Sequence, residues 1–171
     1  HKEYRRQRQM CIRDRDKNLT GAAGEHLVLS RLLSRGILAS QAPRGTRKAD
    51  ILVNPLDGTK PRLIQVKTTS AEKGPLGWKM KDEHMTDKST DLIYCFVDFR
   101  SAPERVFVIP AKKVAEVLVA VDKAWMKKPK KDGSKREKNM WRMIKPQFIV
   151  KTELTPKGWM DKYLENWDLL S

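Results

Sequence analysis

The stretch "RLIQVKTTS" (Arg62–Ser70) decides the fold. Its β-branched content reads as a strand. Yet it sets a glutamine and a lysine two residues apart, and therefore on one face, inside an otherwise apolar run. Working outward, "DILVN" (50–54) is a second strand that opens on an acid, Asp50. "PLDGTKP" (55–61) joins the two and contains Asp57-Gly58, a hairpin turn signal. A turn centred on that dipeptide pairs residues whose numbers sum to 115, which sets Asp50 opposite Gln65. Directly opposed residues share a face, and Lys67 follows on the same face. Pro55 and Pro61 disturb the ladder near the turn, and a slip of one residue would turn Asp50 away.

A carboxylate, an amide and a lysine on one hairpin suit phosphodiester chemistry. Carboxylate and amide oxygens are hard ligands for Mg²⁺ or Mn²⁺. A lysine beside them can orient the attacking water and offset developing negative charge. The competing reading is a hairpin whose Gln65 and Lys67 simply face solvent, because a D-xₙ-Q-x-K pattern is short and degenerate.

Upstream, "GAAGEHLVLSRLLSRG" (21–36) has the helical period, with Gly36 as its stop. Glu25 shares the face of Val28, Leu29 and Leu32. There it either complements the helix dipole or supplies a further acid to the hairpin. "ILAS" (37–40) is a short strand, and "QAPRGTRK" (41–48) a basic loop. Downstream, 71–90 reads as a long polar excursion. "DLIYCFVDF" (91–99) is an apolar run of the kind buried on both faces. "RVFVIP" (105–110) is a strand, and "AKKVAEVLVAVDKAW" (111–125) an amphipathic helix. "KKPKKDGSKREK" (127–138) has seven basic and two acidic residues in a surface loop that either touches phosphates or is only solvated. "QFIV" (147–150) is a candidate last strand. "TPKGWMDKYLENWDLL" (155–170) reads as a helix with Thr155 as N-cap and Pro156 in its first turn. Trp159, Tyr163, Trp167 and Leu170 would form its packing face.

The 171 residues carry a formal charge of +15 and 33% charged side chains. Such a basic excess points to an anionic polymer, above all nucleic acid. No apolar run spans a membrane, and no secretory signal is visible. Two cysteines, Cys11 and Cys95, imply no disulfide framework. A cytoplasmic location is expected. "RRQRQMCIRDR" (5–15) resembles the translated adapter of transposase-made sequencing libraries. Residues 1–15 are therefore expected to be adapter-derived, with 16–171 as one domain whose natural chain begins at or before Asp16. The first fifteen residues contribute +4 of the charge, leaving +11 on the rest.

Glu25, Asp50 and "QVK" at 65–67 resemble the PD-(D/E)XK, restriction-endonuclease-like nuclease superfamily. "GAAGEHLVLSRLLSRG…RKADILV…RLIQVKTT" is similar to its small members related to Holliday junction resolvases and intron-encoded homing endonucleases. The resemblance implies an α/β fold, a mixed sheet flanked by helices in α-β-β-β-β/α order. It implies a Mg²⁺- or Mn²⁺-dependent DNA endonuclease in which Asp50, Gln65, Glu25 and the Val66 backbone carbonyl hold the metal and Lys67 is the catalytic lysine. DNA is the implied partner, and a homodimer would cut two strands. Arg44, Arg47 and Lys48, together with Lys127, Lys128, Lys130 and Lys131, are the candidate DNA contacts. Gln65 stands where the pattern has a carboxylate. That leaves two alternatives: an inactive nucleic-acid-binding module of the same fold, or a subunit of a larger recombination or defence complex.

Overall fold

The computed structural model describes residues 2–56, 58, 60–70, 74–130, 132–137 and 141–170. Helix α1 (Lys2–Leu33) starts well before the expected Gly21. It ends as expected. Gly36 adopts φ +75°, its N–H donates to the Leu33 carbonyl, and the Ile37 N–H reaches back to Leu32. This is the Schellman pattern that favours glycine.

Strands β1 (Ala39–Gln41), β2 (Ile51–Val53) and β3 (Arg62–Thr69) follow. β4 (Trp78–Lys81) and a 3₁₀ turn (Asp82–Met85) occupy the stretch expected to be irregular. Then come β5 (Leu92–Asp98), β6 (Arg105–Pro110), α2 (Ala111–Met126) and β7 (Trp141–Ile144). The fold is a mixed α/β arrangement. Five strands form one sheet in the order β1-β2-β3-β5-β6, with β3 and β5 parallel and the other pairs antiparallel. β4 and β7 form a separate two-stranded ribbon.

Alternation along the strands builds two cores. Ile64, Val66, Ile93, Cys95, Val97, Val106 and Val108 face α1, where Val28 and Leu32 meet them. Leu92, Tyr94, Phe96, Phe107 and Ile109 face α2 and the ribbon, against Val114, Leu118, Trp78 and Met80. Every residue of β5 is buried, as its apolar run required. Each large side chain so enclosed contributes about 1.5–3 kcal/mol. Among the described residues, no helix is long and apolar enough to cross a membrane.

The C-terminal region corrects the expectation. No α-helix forms over 155–170. Two short 3₁₀ turns (Asp161–Tyr163 and Trp167–Leu169) take its place. Gly158 and Glu165 both adopt positive φ, +75° and +51°, which breaks helical continuity. The aromatic residues do not form one face. Trp159 and Tyr163 pack in the α2-side core, whereas Trp167 and Leu170 pack on the α1 side. The break is held by Glu165, whose carboxylate pairs with Arg31 and accepts the Val106 N–H and Trp167 Nε1–H. Thr155 is buried and its hydroxyl takes the Thr152 N–H instead of capping a helix. "QFIV" is not a strand either. The ladder runs through Trp141–Ile144, where Arg142 is buried beside Asp122 at 2.7 Å.

A candidate active site on the open edge of strand β3

Strands β2 and β3 pair Ile51 with Ile64, Leu52 with Leu63 and Val53 with Arg62, the expected register. The connection is longer than a two-residue hairpin, because the described residues 54–56, 58, 60 and 61 stay outside the ladder. Gly58 takes φ +77° there, while Asp57, the other half of the expected turn signal, lies outside the described residues.

The ladder then departs at Asp50. Its N–H donates to the Ile64 carbonyl at 2.8 Å, one residue off the register. Its carboxylate replaces the missing strand partner: Oδ2 accepts the Val66 N–H at 2.7 Å. Beyond that point β2 no longer covers β3. The edge of β3 from Val66 onward faces a groove of about 360 Å³ lined by Lys17, Thr20, Glu25, Val66, Lys67 and Thr68.

Three directions meet at this edge. Gln65 and Lys67 alternate with Ile64 and Val66, so they point to the α2 side. Glu25 arrives from α1, on the other side of the sheet. Asp50 lies between, bonded to the strand itself. Glu25 comes this close because the residue before it is glycine. A Cβ at Gly24 would stand 2.0 Å from the Thr68 hydroxyl, so the helix backbone rests directly on β3. The Thr68 hydroxyl is buried, with no hydrogen-bond partner among the described residues.

The electrostatics agree with that convergence. Burial pushes the Glu25 carboxyl above its ordinary value and the negative charge of Asp50 pushes it further, with His26 opposing. Burial lowers the Lys67 ammonium, Asp50 opposes the shift, and Lys81 reinforces it. Both groups therefore sense Asp50. His84, buried edge-on to Tyr94 with ring centroids 5.7 Å apart, is held below its usual pKa mainly by burial. Its Nδ1 lies 2.9 Å from the Lys81 amide nitrogen and 3.0 Å from the Lys81 carbonyl oxygen, so the Lys81 backbone fixes the ring's orientation.

The expected DNA contacts divide into two groups. Arg44 and Arg47 are exposed in the loop that leads into Asp50. Lys48 is in that loop too, but its ammonium is engaged by Asp87 at 2.9 Å, and it adopts a left-handed φ of +65°. Asp87 is buried and also accepts the Ser89 N–H and hydroxyl. Lys127, Lys128 and Lys130 belong to the α2–β7 connection, away from the Asp50 loop in sequence. That connection is folded on itself: Arg136 donates to the Lys128 carbonyl and stacks over Trp125 at 3.9 Å. Lys131 lies outside the described residues.

Sequence reasoning missed Gly24, Thr68, Asp87 and the ribbon lysine Lys81. The paired small residues Gly21 and Gly24 were a usable signal of close helix packing. Asp87 offered none, since it is 39 residues from its partner. The candidate donors are the Asp50 and Glu25 carboxylates, the Gln65 amide and the Val66 backbone carbonyl. Among the described residues, no group of three or more His, Cys, Asp or Glu is placed to hold a metal.

No protein-family model matches the chain, and no curated protein matches it. Among solved structures, the chain is similar to the bacterial homing endonuclease I-Ssp6803I. The identity is 16%, the alignment covers 89% of this chain and 88% of that one, and the TM-score is 0.48.

Proposed function

We propose that this chain is a Mg²⁺- or Mn²⁺-dependent endonuclease that hydrolyses DNA phosphodiesters, built on the PD-(D/E)XK pattern. The observation that carries the reading is the Asp50 carboxylate bonded to the Val66 amide at the uncovered edge of β3, with Glu25 and Lys67 both within its electrostatic reach. A like-charge pair of carboxylates beside a depressed lysine is costly in a merely structural hairpin and fits a site that receives a cation.

The donor chemistry suits that cation. Asp50, Glu25, the Gln65 amide oxygen and the Val66 carbonyl are all hard oxygen ligands, the set preferred by Mg²⁺ and Mn²⁺. Strand geometry sends the Val66 carbonyl to the same edge as its N–H. When bound, the cation supplies Lewis-acid charge against the negative charge that develops on the phosphate. The chain's own residues do the rest. The Val66 N–H fixes the Asp50 carboxylate in one orientation. Lys67 orients the attacking water and offsets the negative charge that develops on the phosphate. Glu25 supplies the second carboxylate from α1. Arg44 and Arg47 hold the phosphate backbone at the entrance, and a homodimer of the 16–171 domain would place two such edges on two strands. Residues 1–15 are adapter-derived in this reading.

One observation favours a second reading. Gln65 gives the site one negative charge fewer than the pattern's usual acid, which suits a module that binds DNA without cutting it. Incubating the full chain with supercoiled plasmid, linear duplex and a four-way junction in Mg²⁺, Mn²⁺ or EDTA separates the two. Metal-dependent cutting supports the nuclease. Salt-sensitive binding without cutting in any metal supports the binding module and overturns it.

A further inference from the structure

The β4–β7 ribbon stands outside the main sheet, and its two faces differ in chemistry. The inner face is locked to the core. Trp78 and Met80 are buried, Trp78 Nε1–H donates to the Val97 carbonyl at 2.9 Å, and its ring lies 5.2 Å from that of Phe96. Ile144 is fully buried on the other strand, and Arg142 bonds to Asp122 of α2. The outer face presents Lys79 and Lys81, both exposed, with Met143 directly across from Lys79. Lys81 lies 3.8 Å from Glu83, with both side chains more than half exposed, a pair worth little. Strand β4 also packs against β3, the strand that carries Lys67, so the ribbon stands beside the candidate site.

We propose that the outer face of the β4–β7 ribbon, bearing Lys79 and Lys81, lies in the major groove of duplex DNA and delivers the adjoining phosphate to Lys67. This rests on the nuclease reading above. The dimensions agree. Two strands sit about 4.8 Å apart, and the major groove, about 12 Å wide, admits a two-stranded ribbon. Four residues at about 3.3 Å each span roughly four base pairs. Lysine donors suit the guanine O6 and N7 acceptors displayed there. A ribbon fixed by Trp78 keeps those donors in place before DNA arrives, so little ordering is needed on binding. The alternative use of exposed lysines on a short ribbon is to discourage edge pairing, which requires no effect on DNA.

The test measures binding of the full chain in EDTA to a short duplex, either plain or carrying glucosylated hydroxymethylcytosine, which fills the major groove. Wild type and K79Q/K81Q are compared, with equal melting temperatures confirming that the exposed substitutions leave the fold intact. The proposal expects wild type to bind plain duplex about tenfold or more tightly than blocked duplex, and the variant to bind plain duplex weakly without distinguishing the two. A variant that binds plain duplex like wild type, or a wild type indifferent to the blocked groove, overturns the ribbon assignment. Plasmid cutting by wild type in Mg²⁺ or Mn²⁺, measured alongside, keeps the nuclease reading standing in that case. A wild type that binds no DNA and cuts none overturns both.

Discussion

Gly24 rests on Thr68 so closely that a Cβ on residue 24 would lie 2.0 Å from the Thr68 hydroxyl and 3.0 Å from two of its carbons. This contact sets the height of α1 above β3, and with it the distance from Glu25 to the strand edge.

Gly24→Ala separates two opposing effects. Helix propensity alone would stabilise the chain by about 1 kcal/mol. Overpacking against a fixed strand costs about 1–3 kcal/mol. The clash is expected to win, lowering Tm by a few degrees and cutting activity more than stability, since Glu25 moves with the helix. Thr68→Ala removes the obstructing hydroxyl, so the double variant should recover much of the Tm. Thermal melts of the four-member cycle measure the coupling.

Glu25→Gln should stabilise the metal-free protein while impairing cleavage. The Glu25 carboxyl is raised in the folded state by burial and by Asp50. Its contribution to stability is therefore present below the unfolded value and lost as pH rises through the folded one. At neutral pH the ionised group is a cost to the metal-free fold, and its removal should raise Tm in EDTA by no more than a few degrees. Melts with and without Mn²⁺ check this, because added cation should favour wild type more than the variant.

Asp87→Asn tests how the loop before Asp50 is held. Burial pushes this carboxyl up, but hydrogen bonds from Ser89 and Lys48 outweigh it, so the net shift is downward. The stabilisation is then present above the unfolded value of about 3.8 and lost as pH falls through the lower folded value. Losing the carboxylate should cost about 1–3 kcal/mol. It should also loosen Lys48, Ala49 and Asp50 together. Denaturant melts at neutral pH and at pH 3 should show the wild-type advantage shrinking at the lower pH.

Gln65→Glu restores the charge that the PD-(D/E)XK pattern usually carries. A unit charge about 4 Å from a divalent ion is worth several kcal/mol even at an effective dielectric near 20. Desolvation takes back part of this. Calorimetric titration should show metal affinity tightened about tenfold or more, with Mg²⁺ gaining relative to Mn²⁺. Unchanged affinity would remove Gln65 from the ligand set.

Much of the site was legible because its periods are short. Strand alternation placed Gln65 with Lys67, and the register expected for residues 51–53 against 62–64 is the one β2 and β3 adopt, although Asp50 departs from it. Helical period put Glu25 on the inner face of α1. What could not be read depends on distant partners. Lys48 and Asp87 meet across 39 residues. β7 carries an arginine that is tolerable inside because Asp122 lies against it, with Asp82 3.9 Å away. The tryptophans of 155–170 have helical spacing, yet the chain divides them between two cores, and the positive φ at Glu165 that permits this is held by contacts from α1 and β6.

The most direct measurement pairs Mn²⁺ binding with plasmid cleavage for wild type, Asp50→Asn and Lys67→Ala. The account predicts that Lys67→Ala still binds Mn²⁺ but cuts at least a hundredfold more slowly, while Asp50→Asn loses both. If Lys67→Ala cuts like wild type, or Asp50→Asn binds Mn²⁺ undiminished, the edge of β3 is not a metal-dependent nuclease site.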